Sequence, residues 1–412
     1  MRRPRNPPPR PPGSPLAYSR RVLVLWQLIR RPGIALAYTM NLIVRVRRGI
    51  FGPHRYPGDA RRIMRASISD CWNGRCLTAS CGHFHQFWTR DLCFSSVALA
   101  RLSDRHRDAV LRSLDWAIQT WRRRESHVTT TIHYFDQPVD IFDYGVDCVP
   151  LVLAALRQVG ADGLLARHRS WLLGEVGHYV EEVVDLRTGL VRSDRKYSAH
   201  RDTMVNRCNA YGNSMVALLA KTLRELGWEI PPALQPLAED PQRLLMDEFW
   251  DERGYFVDER DDTRPSGEGN IWPFWTGVVT NPELLRQALA ALETHGLTDP
   301  LPLKYEAIRR PETEPALIRF LMPDYQGATV WTSLGSMYMR LRHSIDPALA
   351  QPAIDHYREW IEHEGVFWEV MDDQTRRRYW SSFVTQSDEG MLWSSIFLDL
   401  LERPELPPPL LS

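Results

Sequence analysis

From about residue 57 to residue 405 the chain alternates amphipathic runs with loops, and chemically loaded residues crowd into every second loop. Those loops read HFHQFWTRD (83–91), HYFDQPVDIFDYGVD (133–147), VRSDRKYSAHRD (191–202), GNIWPFWTG (269–277), PDYQGATVW (323–331) and FWEVMDDQT (367–375). They recur at intervals of roughly 45–75 residues, the length of a helical hairpin. A hairpin repeated in this way, with function confined to alternate connections, places all the loaded loops on one rim around a central cleft. The pattern therefore predicts a toroid.

Apolar residues recur at three- and four-residue spacing in most of the intervening runs, as in Leu111, Leu114, Ala117 and Ile118, which is the helical period. The spacing predicts helices over 58–71, 89–102, 104–123, 148–159, 164–184, 209–226, 241–249, 282–295, 330–343, 347–363 and 389–401. Short strands are expected near 255–257 and 366–370. No Gly/Ser linker or charge block divides residues 57–405, so they are read as one all-α domain.

The stretch GVDCVPLVLAAL (145–156) is its sharpest piece, with Asp147 ahead of an unbroken apolar run. Pro150 stands in the first turn, where the missing N–H costs nothing. Asp147 is either a plain N-cap or a carboxyl held at the mouth of a buried helix. Asp140 and Asp143 lie close enough to share or take its role.

Residues 1–56 differ from all this. They hold twelve arginines and no acid, the first carboxylate being Asp59. The opening MRRPRNPPPRPPGSP has the composition of a disordered segment. The following SRRVLVLWQLIRRPGIALAYTMNLIVRVRRG predicts one or two helices, but neither apolar block reaches the roughly 18 residues that span a bilayer. It is read as an extension that either lies on anionic lipid or packs on the body of the protein.

Formal neutrality over the whole chain argues against nucleic acid as the main partner. Six cysteines in 412 residues make no disulfide scaffold, and reduced, structural thiols place the chain in the cytoplasm, with a peripheral membrane contact open to the basic N-terminus. Cys71, Cys76 and Cys81 near His83 and His85 are spaced C-x4-C-x4-C, not as a zinc ribbon, so no metal is expected. There is no phosphate-cradling glycine loop, no HExxH helix and no GxSxG elbow, and no cofactor is expected either.

The six loops, in this order, resemble those of the (α/α)6 six-hairpin glycosidases, which include processing α-glucosidases, amylo-1,6-glucosidases, mannosylglycerate hydrolases and neutral invertases. FWTRD resembles the aromatic–Trp–x–Arg/Asp–Asp segment that contacts sugar. GVDCVPLVLAAL resembles the segment bearing the general acid, and WEVMDDQT the loop bearing the base. NRCNAYGNSMVALLAKTL, PFWTGVVTNPELLRQAL and YQGATVWTSLGSMYMRL are similar to further helix starts of that family. Two departures stand out: Tyr211-Gly212 where the family has Trp-Tyr, and Asp373 where it has proline.

The resemblance, covering about residues 70–402, implies an all-α (α/α)6 fold and inverting hydrolysis of an α-linked glucoside, mannoside or short oligosaccharide. It implies Asp147 as general acid and Glu369 as general base, with Glu389 as a rival for the base. Glycoside hydrolysis needs such a carboxyl pair, and apolar neighbours such as Val146 and Trp368 would raise their pKa. Arg90 and Asp91 suit sugar hydroxyls, through a guanidinium fork and a double acceptor. Asp143 and Lys196 are further polar contacts, and Trp88, Trp272, Trp275, Tyr325 and Trp331 are candidate cleft walls. Core packing is the competing reading for each aromatic. A phosphorylase and a non-catalytic, membrane-associated glycan-binding protein remain alternatives.

Overall fold

Helices alternate between an inner and an outer ring in the computed structural model, which describes residues 32–204, 207–382 and 385–408. The expectations for residues 1–31 lie outside the described residues. In chain order the helices are α1 (Pro32–Phe51), α2 (Ala60–Asp70), α3 (Thr89–Leu102), α4 (Asp104–Arg123), α5 (Cys148–Gln158), α6 (Asp162–Val183) and α7 (Ala210–Glu225). There follow α8 (Gln235–Glu239), α9 (Arg243–Glu248), α10 (Gly267–Trp275), α11 (Pro282–Thr294), α12 (Ala316–Leu321), α13 (Thr332–Ile345), α14 (Pro347–Glu364) and α15 (Ser394–Glu402).

The inner ring is α3, α5, α7, α10, α13 and α15. Each packs on the next, and α15 closes back on α3. Each also packs on its outer partner: α4, α6, α8 with α9, α11, α14 and, for α15, α2. Six hairpins thus close into a toroid. Burial follows the rings. In α7 every residue from Ala210 to Leu223 is buried except Lys221, whose ammonium donates to the Thr276 carbonyl at 3.0 Å. A helix apolar on all sides has to be interior. Outer α4 instead buries one stripe, including Val110, Leu114, Ala117, Ile118 and Trp121.

Helix starts separate the rings as well. Outer α2, α4, α11 and α14 are capped by the side chains of Asp59, Ser103, Asn281 and Asp346, which satisfy orphan N–H groups. Four of the six inner helices have no side-chain cap, and their N-cap positions hold Trp88, Asp147, Trp331 and Trp393. Inner α10 was expected to be a loop. Its nine residues contain Gly267, Gly269 and Pro273, breakers that hide a helix from periodicity. The Ser266 cap and complete burial hold it.

Short ladders stitch the loaded loops together. β1 (Phe87–Trp88) pairs with β2 (Thr131–His133), which pairs with β3 (Gln137–Val139). β4 (Tyr144–Gly145) runs parallel to β5 (Tyr197–Ser198). β6 (Trp250–Asp251) and β7 (Tyr255–Phe256) form a hairpin, and β8 (Val330–Trp331) pairs with β9 (Val370–Met371). β10 (Trp380–Ser382) and β11 (Thr385–Gln386) form the last hairpin. The first, second and third loops become neighbours in this way, as do the fifth and sixth.

A carboxyl-lined cavity at the inner rim

A cavity of about 520 Å³ opens at the N-terminal ends of the inner helices. Trp88, Trp331 and Trp393, three of the four residues at the uncapped inner-helix starts, form part of its wall with Phe94, Tyr305 and Tyr325. Trp331 lies edge-on to Tyr325 at 5.3 Å, and its indole N–H donates to the Tyr325 carbonyl at 2.8 Å. Trp88 Nε1 and Ser333 Oγ are buried without a protein partner among the described residues, so both can serve a ligand hydroxyl. Three carboxyls, Asp91, Asp202 and Glu369, face the same space.

Glu369 precedes β9 and is 3 % exposed. Its Oε2 accepts the Asp388 N–H at 3.1 Å, and its backbone is pinned to Asp388 O and to Thr332. Burial pushes its carboxyl up to about 8, against the opposing hydrogen bond of Tyr325 and the charge of Arg45. Asp91, in the first turn of α3, is pushed up to about 7 by burial, with the Arg90 guanidinium opposing. Asp202 follows β5 in the third loop. Burial raises it, Arg90 opposes from 3.8 Å, and Gln326 Nε2 donates to its Oδ1 at 3.1 Å.

Of the site residues named from sequence, Trp88, Arg90, Asp91, Tyr325, Trp331 and Glu369 line the cavity. Asp147 does not. It is fully buried behind the wall, where Oδ2 accepts from Arg90 Nε and from the Tyr211 hydroxyl, each at 2.5 Å, and Oδ1 from Arg90 Nη2 at 3.2 Å. It also stands at the N-cap position without capping. A carboxylate so saturated holds Arg90 in place; it has no access to a substrate oxygen. Tyr211, a departure from the family pattern, is thus half of the clamp on Asp147.

Asp140 and Asp143 do not line the cavity either. Asp140 binds His127 Nε2 at 2.5 Å and the Thr130 N–H at 2.9 Å. Asp143 is exposed and accepts the Lys196 backbone N–H at 3.2 Å, so Lys196 meets it by main chain while its own side chain points outward. Trp272 and Trp275 are both fully buried and off the cavity wall. They lie on α10, an inner helix packed between α7 and α13, which makes them core. Glu389 also misses the wall: it pairs with Arg48 at 2.8 Å, and burial together with Asp388 pushes it up to about 8.

Asp202 was missed. It ends the loaded segment VRSDRKYSAHRD, which was the available signal. Arg45 and Asn41 of α1 also line the cavity. Arg45 stacks 4.8 Å over the Phe84 ring. Nothing in the sequence ties that helix to a loop some forty residues later.

A closed ring of six helical hairpins with one loaded rim is the architecture these observations define. No family model and no curated protein matches the chain. Solved structures do share its fold. A glycosidase solved in complex with glucose is 17% identical with a TM-score of 0.60, over 85% of this chain and 96% of that one. A rhamnosidase from Klebsiella oxytoca with rhamnose bound is 14% identical, with a TM-score of 0.59, over 86% and 66%. The GH63 mannosylglycerate hydrolase from Thermus thermophilus, in complex with Tris and D-glycerate, is 13% identical with a TM-score of 0.57, over 84% and 100%.

Proposed function

We propose that the protein is an inverting glycoside hydrolase acting on an α-linked glucoside, mannoside or short oligosaccharide. One observation carries the reading: Asp202 and Glu369, both pushed toward the protonated form, face a single aromatic-walled cavity of about 520 Å³. Asp202 replaces Asp147 as the general acid, and Glu369 is the base that activates water. Burial raises both carboxyls toward the protonated form, in which a carboxyl can serve as a proton donor. The productive form has the proton on Asp202, where it can pass to the leaving oxygen.

Arg90, held by Asp147 (itself bonded by the Tyr211 hydroxyl), and Asp91 form the polar floor that grips sugar hydroxyls. Trp88, Tyr325, Trp331 and Trp393 offer ring faces to the pyranose. The glycosidase structures that share the fold support the reading, as does a carboxyl where a phosphorylase would present only cations. None of the six cysteines is disulfide-bonded, which suits a reducing compartment such as the cytoplasm.

Hydrolysis of a panel of α-linked disaccharides and glycosyl glycerates, with anomer detection, tests the proposal. Turnover is expected in the wild type and should fall about 10²–10⁴-fold in Asp202→Asn and in Glu369→Gln, with folding intact. A wild type that binds several of these sugars and turns over none is a glycan-binding protein instead.

A further inference from the structure

Helix α1 has two faces of opposite character. Asn41, Arg45 and Arg48, spaced i, i+4, i+7, turn to the toroid: the first two line the cavity, and Arg48 pairs with Glu389 and donates to the Cys81 carbonyl at 3.0 Å. Leu36, Met40, Ile43 and Ile50, spaced four, three and seven residues apart, lie on the other side and are 39–62% exposed. Arg47 is exposed on the same side. A helix anchored by one face and apolar, with a cation, on the other has the build of an interfacial helix. Among the described residues no helix is long and apolar enough to cross a membrane.

The exposed apolar surface continues round the cavity mouth. The β10–β11 hairpin joins α1 to the next element, with Gln386 Nε2 donating to the Arg45 carbonyl at 3.2 Å and Ser381 Oγ to the Leu321 carbonyl at 3.0 Å. That element is α12, where Leu317 and Phe320 are 68% and 82% exposed and Arg319 is exposed beside them. Leu317 also lines the cavity. Exposed patches of this kind, gathered around a binding cleft and fringed with cations, mark a docking surface.

We propose that this rim docks on an anionic lipid bilayer, with the cavity mouth turned toward the lipid headgroups. Charge selects this occupant. The 31 residues that precede α1 in sequence carry eight arginines and no acid, and α1 adds Arg47 on its outer face. Each arginine brought close to an anionic leaflet strengthens partitioning roughly fivefold, and the apolar face of α1 supplies the second, non-electrostatic hold that stable peripheral binding needs. What the mouth then receives rests on the glycosidase reading: a sugar carried on a lipid.

The test is co-sedimentation of the full chain with two kinds of vesicle, phosphatidylcholine alone and phosphatidylcholine with about a third phosphatidylserine. Wild type is expected to bind the anionic vesicles at least tenfold more tightly, with binding weakened by salt. The double variant Ile43→Glu/Phe320→Glu, off the cavity wall, should lose roughly tenfold of that binding and keep the wild-type rate on a soluble glycoside. No binding to anionic vesicles, or equal binding by wild type and variant, overturns the proposal. So does a wild-type dimer that the variant dissociates, which would assign the face to a second copy. A protein that binds vesicles as described yet hydrolyses no glycoside keeps the docking face and loses only the enzyme reading.

Discussion

Asp147 and Glu369 each stand on a loaded loop of the ring. Both are buried, at 0 % and 3 % exposed. They differ in what meets the carboxylate. Asp147 is saturated by a bidentate Arg90 and the Tyr211 hydroxyl. Glu369 takes one backbone N–H from Asp388 and a hydrogen bond from Tyr325, and otherwise faces open space. Burial with a full set of partners makes a structural strut. Burial beside a cavity makes a candidate acid or base.

The largest effect that follows is on stability at the strut. Asp147→Asn takes from the buried guanidinium of Arg90 its nearest counter-charge, leaving Asp202 at 3.8 Å, and breaking such a pair costs up to about 3–5 kcal/mol. Denaturant unfolding should show that loss near neutral pH. A change within about 0.5 kcal/mol would mean that Asp147 is not the strut described, and would return it to the list of candidate acids.

Glu369→Gln should move stability the other way, and by less. The carboxyl is near 8 in the folded protein and 4.5 as its ordinary value. Between those values the folded state binds the extra proton, so wild-type stability falls as pH rises from about 4.5 to about 8. Glutamine removes the titration. The variant should match wild type at pH 4 and melt several degrees higher at pH 9, read by thermal scans across that range. A variant that melts lower at every pH would show that Glu369 too is a strut, and the contrast would collapse.

Much of the ring was legible in the sequence because helical periodicity is local. Thr89–Leu102 and Asp104–Arg123 were expected with the observed bounds, and most others fell within two or three residues. Inner α10 was not, because Gly267, Gly269 and Pro273 look like loop chemistry while burial overrides propensity. The rim was legible as six loaded segments, and Glu369, Asp91 and Trp88 in them do reach the cavity. That Asp147 lies behind the wall rather than on it was not legible, for a physical reason. Arg90 and Tyr211 lie 57 and 64 residues away in sequence, and apolar neighbours look the same around a strut and around an acid.

Arg45 offers the finest test of the contrast, since it gives Glu369 part of what Arg90 gives Asp147. It lines the same cavity, and its charge is among the influences that hold the Glu369 carboxyl down against burial. Its charge is one of several influences on that carboxyl, so its effect is a tuning one. In Arg45→Gln the burial is unchanged and the opposing cation is gone, which moves the Glu369 titration upward from about 8. A base works only when ionised. The acid limb of the kcat/KM–pH profile should therefore shift to higher pH, by a few tenths of a unit to about one, with the alkaline plateau kept. An unshifted limb with a uniformly lower kcat/KM would make Arg45 a substrate contact and leave Glu369 tuned by Tyr325 and Asp388 alone.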